Sequence, residues 1–172
     1  MKFKFALAVM MLAATASTAS AQTTDTQKFT VIVPGAISIT APLNTEITHD
    51  ETENDQSFAP QAWQVKGNVL AGVSVSISTD SHFQHTTEVD GKRDAQIDLS
   101  IGATTGAANW TVTQATGTTN YANNNGVATV QATSDNSGSA DLNVAMTFIT
   151  DGFGSFPAGT YETTVTGTVA SN

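Results

Sequence analysis

The chain has 172 residues with Lys+Arg 6, Asp+Glu 15 and no cysteine, for a formal net charge of -9. Without cysteine there is no disulfide scaffold, Cys-ligated zinc, iron–sulfur cluster or cysteine nucleophile. The acidic balance argues against nucleic acid and anionic membrane, which need clustered Lys and Arg, and a charged fraction of only 12% is unlike a helical cytosolic enzyme.

Met1 to Lys4 is a short basic start, Phe5 to Ala14 is an apolar run, and the stretch to Ala21 is small and polar, ending Ala19-Ser20-Ala21. This is the layout of a secretory signal peptide, with cleavage expected before Gln22. Ten apolar residues would rise about 15 Å as a helix, against about 30 Å of hydrocarbon, so they are too short to span. No Cys follows the cleavage site, which excludes a lipoprotein anchor. Loss of Lys2 and Lys4 leaves Lys28, Lys66, Lys92 and Arg93 against all 15 acids, and moves the net charge from -9 to -11. Residues 22–172 are expected to form one domain, stabilised by packing and backbone pairing alone.

Period-two alternation then recurs along the chain. Phe29, Val31 and Val33 alternate with Thr30 and Ile32, Pro34-Gly35 interrupts, and Ile37-Ser38-Ile39 resumes. Ala62 to Val65 is a short run. Val73, Val75 and Ile77 alternate with serines. Ile97, Leu99 and Ile101 follow, then Trp110 and Val112, Val127 to Thr133, and Leu142, Val144, Met146 and Phe148. In the final run Tyr161, Thr163, Val165 and Val169 share one face. Turn formers separate these runs, among them Asn54-Asp55, Asp90-Gly91, Asp135 to Gly138 and Asp151-Gly152. One face is apolar and the other Ser, Thr or Asn, as in antiparallel sheets with one wet face. The expectation is an all-β antiparallel sandwich of about eight or nine strands. Thr45 to Gln56, Gly102 to Ala108 and Gly117 to Asn125 read as exposed loops.

Few residues suggest chemistry. His82 and His85 have H-x-x-H spacing with Asp80 nearby, but lack a clear third ligand. Asp80-Ser81-His82 holds triad residue types without a nucleophile elbow. Asp50, Glu51, Glu53 and Asp55 could collect Ca²⁺, but lack a calcium loop's alternate ligands and central Gly. Trp63, Trp110, Tyr121 and Tyr161 could stack on sugars, although each Trp falls in an alternating run that suits a core. The Thr-x-Thr pairs lack the fixed period of an ice-binding array. No metal, cofactor or catalytic residue is assigned.

Phe156-Pro157-Ala158-Gly159-Thr160-Tyr161 feeds the Thr/Val-rich Glu162 to Ala170. That ending resembles bacterial pilin and fimbrial-subunit β-sandwich domains, and the related secreted domain called DUF4402. Phe58 to Thr79, with its strand, Gly-Asn turn and alternating strand, is similar to the same pattern. Leu142 to Phe148 matches the penultimate strand, and Phe29 to Ile39 the N-terminal segment. The resemblance implies an immunoglobulin-like fold left incomplete, with a neighbour's extended segment supplying the missing strand. Thr26 to Val33 would be the donor, with Phe29, Val31 and Val33 entering the neighbour's groove. Alternation equally suits a first strand of the chain's own sandwich. Tyr161, Val165 and Val169 would mark a C-terminal edge strand. Many such pilins carry a disulfide, which this chain cannot form, and its last strand lacks a strongly apolar chaperone-binding end.

The resulting expectation is a Sec-exported, non-catalytic structural or adhesion subunit of a fimbria or extracellular fibre, at the cell surface, outside the cell or in the periplasm. Its partners would be copies of itself, other fimbrial subunits and a periplasmic chaperone, with no nucleic acid and no membrane span. The alternative is a monomeric carbohydrate- or calcium-binding module, built on the aromatic residues and the acidic loop.

Overall fold

Side chains alternate in burial along most of the longer runs, and that alternation builds two facing sheets. A computed structural model describes residues 23–172. The expected signal peptide lies outside the described residues. The chain divides between Val33 and Pro34.

Residues 23–33 are exposed and belong to no strand. Phe29, Val31, Ile32 and Val33 expose 82%, 85%, 87% and 75% of their surface. The alternating pattern there does not become a strand of this chain. A strand exists through its ladder, and these residues have no paired neighbour.

From Pro34 onward the chain is all-β. The first sheet contains β1 (Ile37–Thr40), β2 (Gln56–Ser57), β3 (Gln61–Gly67), β7 (Ala95–Gly106), β9 (Thr116–Thr118) and β11 (Gly138–Phe148). Its order is β1-β3-β11-β7-β9, with β2 also on β11. The second contains β4 (Val73–Thr79), β8 (Trp110–Gln114), β10 (Thr129–Ser134) and β13 (Val165–Ser171), in the order β13-β4-β10-β8. A small third sheet joins β5 (Phe83–His85), β6 (Lys92–Arg93) and β12 (Tyr161–Glu162), in the order β12-β5-β6. Every pairing is antiparallel.

The sandwich core lies between the first two sheets. Trp63, Val65, Ile97 and Leu142 come from one side, and Val75, Ile77 and Val130 from the other. Each fully buried aliphatic side chain contributes about 1.5–3 kcal/mol. A second cluster of Phe83, Ala95 and Phe148 lies under the third sheet, with Phe58, Phe156 and Tyr161 packed on it.

The described residues form thirteen strands rather than eight or nine. Some are two- or three-residue pieces with no alternation to read. The final run also splits: Tyr161 joins the third sheet, while Val165 and Val169 lie on β13. Two expected loops are partly strand. β7 continues to Gly106, which pairs with Gly138, and Gly117 lies within β9. Gly and Thr at those positions match turn composition, but backbone pairing decides the outcome.

The two flanks of the sandwich differ. Trp110 to Thr118 crosses from β8 in one sheet to β9 in the other, and Ala115 C=O accepts the Leu99 N–H at 2.8 Å. One polypeptide therefore closes that side. On the opposite side β1 and β13 are the last strands of their sheets, and they lie near each other with no strand joining them.

Candidate functional site

The open flank is the candidate site, and β13 is its centre. Asp80, just after β4, fastens the start of this strand. Its N–H donates to Thr164 C=O at 2.9 Å, and its Oδ1 accepts the Thr164 N–H at 2.9 Å and the Thr163 hydroxyl at 3.3 Å. Burial raises the Asp80 pKa, but the Thr164 amide and the Ser81, Thr163 and Thr164 hydrogen bonds outweigh it and leave the carboxyl below its ordinary value. Asn172 fastens the other end. Its N–H donates to Gly72 C=O at 3.1 Å, and its side-chain amide donates to Ala71 and Ser134 carbonyls at 3.1 and 2.9 Å.

These two clasps set the backbone phase. Thr164 and Asn172 both hydrogen-bond toward β4, and the ladder alternates between them. Thr166, Thr168 and Ala170 therefore direct N–H and C=O at β4. Val165, Gly167 and Val169 direct theirs away, along the unpaired edge. The same three residues point inward and are half-buried, while Thr166, Thr168 and Ala170 are exposed. Gly167 is required here. A Cβ on it would stand 2.6 Å from the Trp63 ring and 2.7 Å from the Ile39 terminal carbon. The flank thus offers free backbone groups beside a partly covered apolar seam of Ile39, Trp63, Val165 and Val169.

Trp63 is buried in the core, and Trp110 is half-buried against it with its Nε1–H unpartnered. Tyr161 belongs to the aromatic end rather than to β13. Its hydroxyl donates to Pro157 C=O at 2.9 Å, and burial pushes its pKa up, against the opposing effect of Arg93. His82 and His85 do not converge. His82 is tilted against Tyr121, while His85 meets Tyr161 edge-on at 5.0 Å and its Nδ1 accepts the N–H groups of Thr87 and Glu88. Burial pushes His82 below its ordinary value, with Lys92 adding to the effect and Asp94 opposing it. Among the described residues no three His, Asp or Glu side chains are grouped to hold a metal.

The acidic loop is solvated as expected, but it is also tethered. Asp50 accepts from the Thr52 N–H and hydroxyl and from the Gln56 amide. Asp55 accepts the Thr150 N–H and Glu53 the Phe153 N–H, both at 2.9 Å. Three of the four candidate calcium ligands thus serve backbone or side-chain donors of the chain itself.

Sequence reasoning missed two features. One is the Asp80 clasp, hidden because its partner is 84 residues away. The other is the aromatic end. His49 stacks on Phe153 at 5.1 Å, and Phe148 touches Phe83, Phe156 and Tyr161 at 5.3–5.7 Å. Arg93 lies 4.4 Å above the Phe156 ring and donates to the Tyr121 and Ser155 hydroxyls.

Compared with known proteins, the chain matches no family model, no curated protein and no solved structure.

Proposed function

We propose that this chain is an exported, non-catalytic subunit of a fimbria or other extracellular fibre, and that it assembles by adding an extended segment of one copy to the β13 edge of the next. One observation carries the reading: β13 is held at both ends but, among the described residues, is unpaired along its outer side, where Val165, Gly167 and Val169 present free backbone groups. An open edge of this kind is a template for another strand.

Residues 26–33 suit that role. They are exposed and belong to no strand, and Phe29, Val31 and Val33 would lie on one face once the segment pairs. Their backbone would meet the free groups of β13 while their side chains cover the seam at Ile39, Val165 and Val169. Charge favours the same pairing. Copies of an acidic chain repel one another, yet β13 carries no charged residue and residues 26–33 carry only Lys28.

The test is the assembly state of the exported chain by light scattering after size exclusion. Ladders or fibres are expected. A chain lacking residues 26–33 should run as a monomer with unchanged circular dichroism. Undiminished polymerisation after that deletion would refute the donor assignment.

A further inference from the structure

The stretch that joins residues 26–33 to β1 carries an observation of its own. Val33-Pro34-Gly35-Ala36 is a strong turn sequence. Proline at the second position presets φ, and glycine at the third accepts the positive φ of a type II turn. The Ala36 N–H would close such a turn by donating to Val33 C=O. That turn is not formed. Gly35 has no positive φ, and the Ala36 N–H donates instead to Asn68 Oδ1 at 2.6 Å.

Asn68 lies in the turn between β3 and β4. Besides accepting from Ala36, its side-chain amide donates to Pro34 C=O at 2.9 Å, and its own N–H donates to Ala36 C=O at 3.1 Å. Ala36 thereby continues the β1–β3 ladder one residue beyond the Ile37–Gly67 pair. Pro34 and Ala36 are held in line with β1. The reversal this prevents has a destination. Asn172, just after β13, donates its N–H to Gly72 C=O in the same β3–β4 turn. Pro34 and the end of β13 therefore stand at one end of the sandwich. β1 runs antiparallel to β3, and β13 antiparallel to β4. A chain reversed at Val33–Ala36 would run parallel to β13, and residues 26–33 are long enough to follow its seven residues.

We infer, on the basis of the assembly proposed above, that Asn68 is a positioning residue. It holds the latent turn open, so that residues 26–33 are offered to another copy and not to the β13 edge of their own. Parallel pairing is slightly weaker per residue than antiparallel pairing, and ordering residues 26–33 costs conformational entropy. The three hydrogen bonds of Asn68 can therefore decide the balance. The open chain is ready to assemble. A closed one has its edge covered and its donor segment occupied.

The test is amide exchange at Val165, Gly167 and Val169 in the exported chain, diluted until light scattering shows only monomer. In the parent these amides should exchange freely. Asn68→Ala releases the turn and should slow them about tenfold or more at the same dilution. Asn68 is exposed, so circular dichroism should not change. Adding Gly35→Val to Asn68→Ala should restore free exchange, because a β-branched residue resists the positive φ of the turn. A merely structural defect would not be rescued in this way. A synthetic peptide of residues 26–33 separates this step from assembly itself. If the peptide protects the parent's edge while Asn68→Ala does not protect its own, the inference falls and the proposed assembly stands. If the peptide fails as well, both fall. The inference is also overturned if the parent's edge is already protected at dilution, or if Gly35→Val leaves the Asn68→Ala edge protected.

Discussion

The two flanks of the sandwich solve the same problem differently. On one, Trp110 to Thr118 passes from sheet to sheet, paired with β10 at its start and with β7 at its end. On the other, β1 and β13 come together without a connecting strand, and β13 keeps a row of backbone groups unpaired. Each flank has an aspartate clasp. Asp135 accepts the Asn109 N–H at 2.8 Å and its side-chain amide at 2.9 Å at the head of β8, as Asp80 holds the head of β13. The two strands are therefore anchored alike. What differs is whether the chain itself supplies the next strand. Anchoring without closure is what an edge needs in order to stay straight and available.

Substitutions test this contrast, and the largest effect belongs to the closed flank. A Cβ on Gly117 would lie 2.6 Å from the Thr129 carbonyl oxygen and 2.7 Å from its nitrogen, backbone atoms of β10 that cannot turn aside. Gly117→Ala should cost about 3 kcal/mol in denaturant unfolding. Gly167→Ala meets side chains instead: Ile39 can rotate, while the buried Trp63 ring must shift slightly. Its cost should be about 1–2 kcal/mol, with an added loss of assembly because the seam is filled. Equal costs at the two glycines would erase the distinction between the flanks.

The clasps give smaller effects. Asp80→Ala should cost about 1 kcal/mol, since the bonds are charged but the carboxylate is solvent-exposed. The same substitution should speed amide exchange at Thr166 while leaving β8 unchanged.

The pH response is the smallest effect. The ordinary value for both carboxyls is 3.8, and both are held below it. For Asp135 the main cause is the Asn109 side chain, followed by the Asn109 amide. A carboxyl whose folded pKa is depressed binds protons less readily folded than unfolded. Its contribution is present above 3.8 and is lost as pH falls below that value. A melting-temperature series in acid should therefore be flatter for Asp80→Asn than for the parent chain. A series as steep as the parent's would mean that the clasp contributes nothing.

The sandwich was legible because its strands alternate. Val73, Val75 and Ile77, or Leu142 and Val144, declare a buried face whatever their partners are. The exposed Thr and Ser between them declare the other. Residues 102–106 were not legible, because Gly, Ala and Thr suit turns as well as paired strands. The open edge was only half visible. Val165 and Val169 could be assigned to a terminal strand, but the break at Thr163–Thr164 depends on Asp80, and Tyr161 belongs to a cluster assembled from distant loops. The aromatic end follows no period: His49, Phe83, Phe148 and Phe156 meet through topology alone. Phe29, Val31 and Val33 show the converse. Their alternation is a capacity to pair, and the chain's own ladders leave it unused.

Hydrogen exchange along β13 tests the central claim most directly. In a chain lacking residues 26–33, the amides of Thr166, Thr168 and Ala170 should be protected, while those of Val165, Gly167 and Val169 exchange freely. Adding a peptide of residues 26–33 should protect the second set and leave the first unchanged. If Val165, Gly167 and Val169 still exchange freely with the peptide at saturation, or are already protected without it, β13 is not the edge through which this protein assembles.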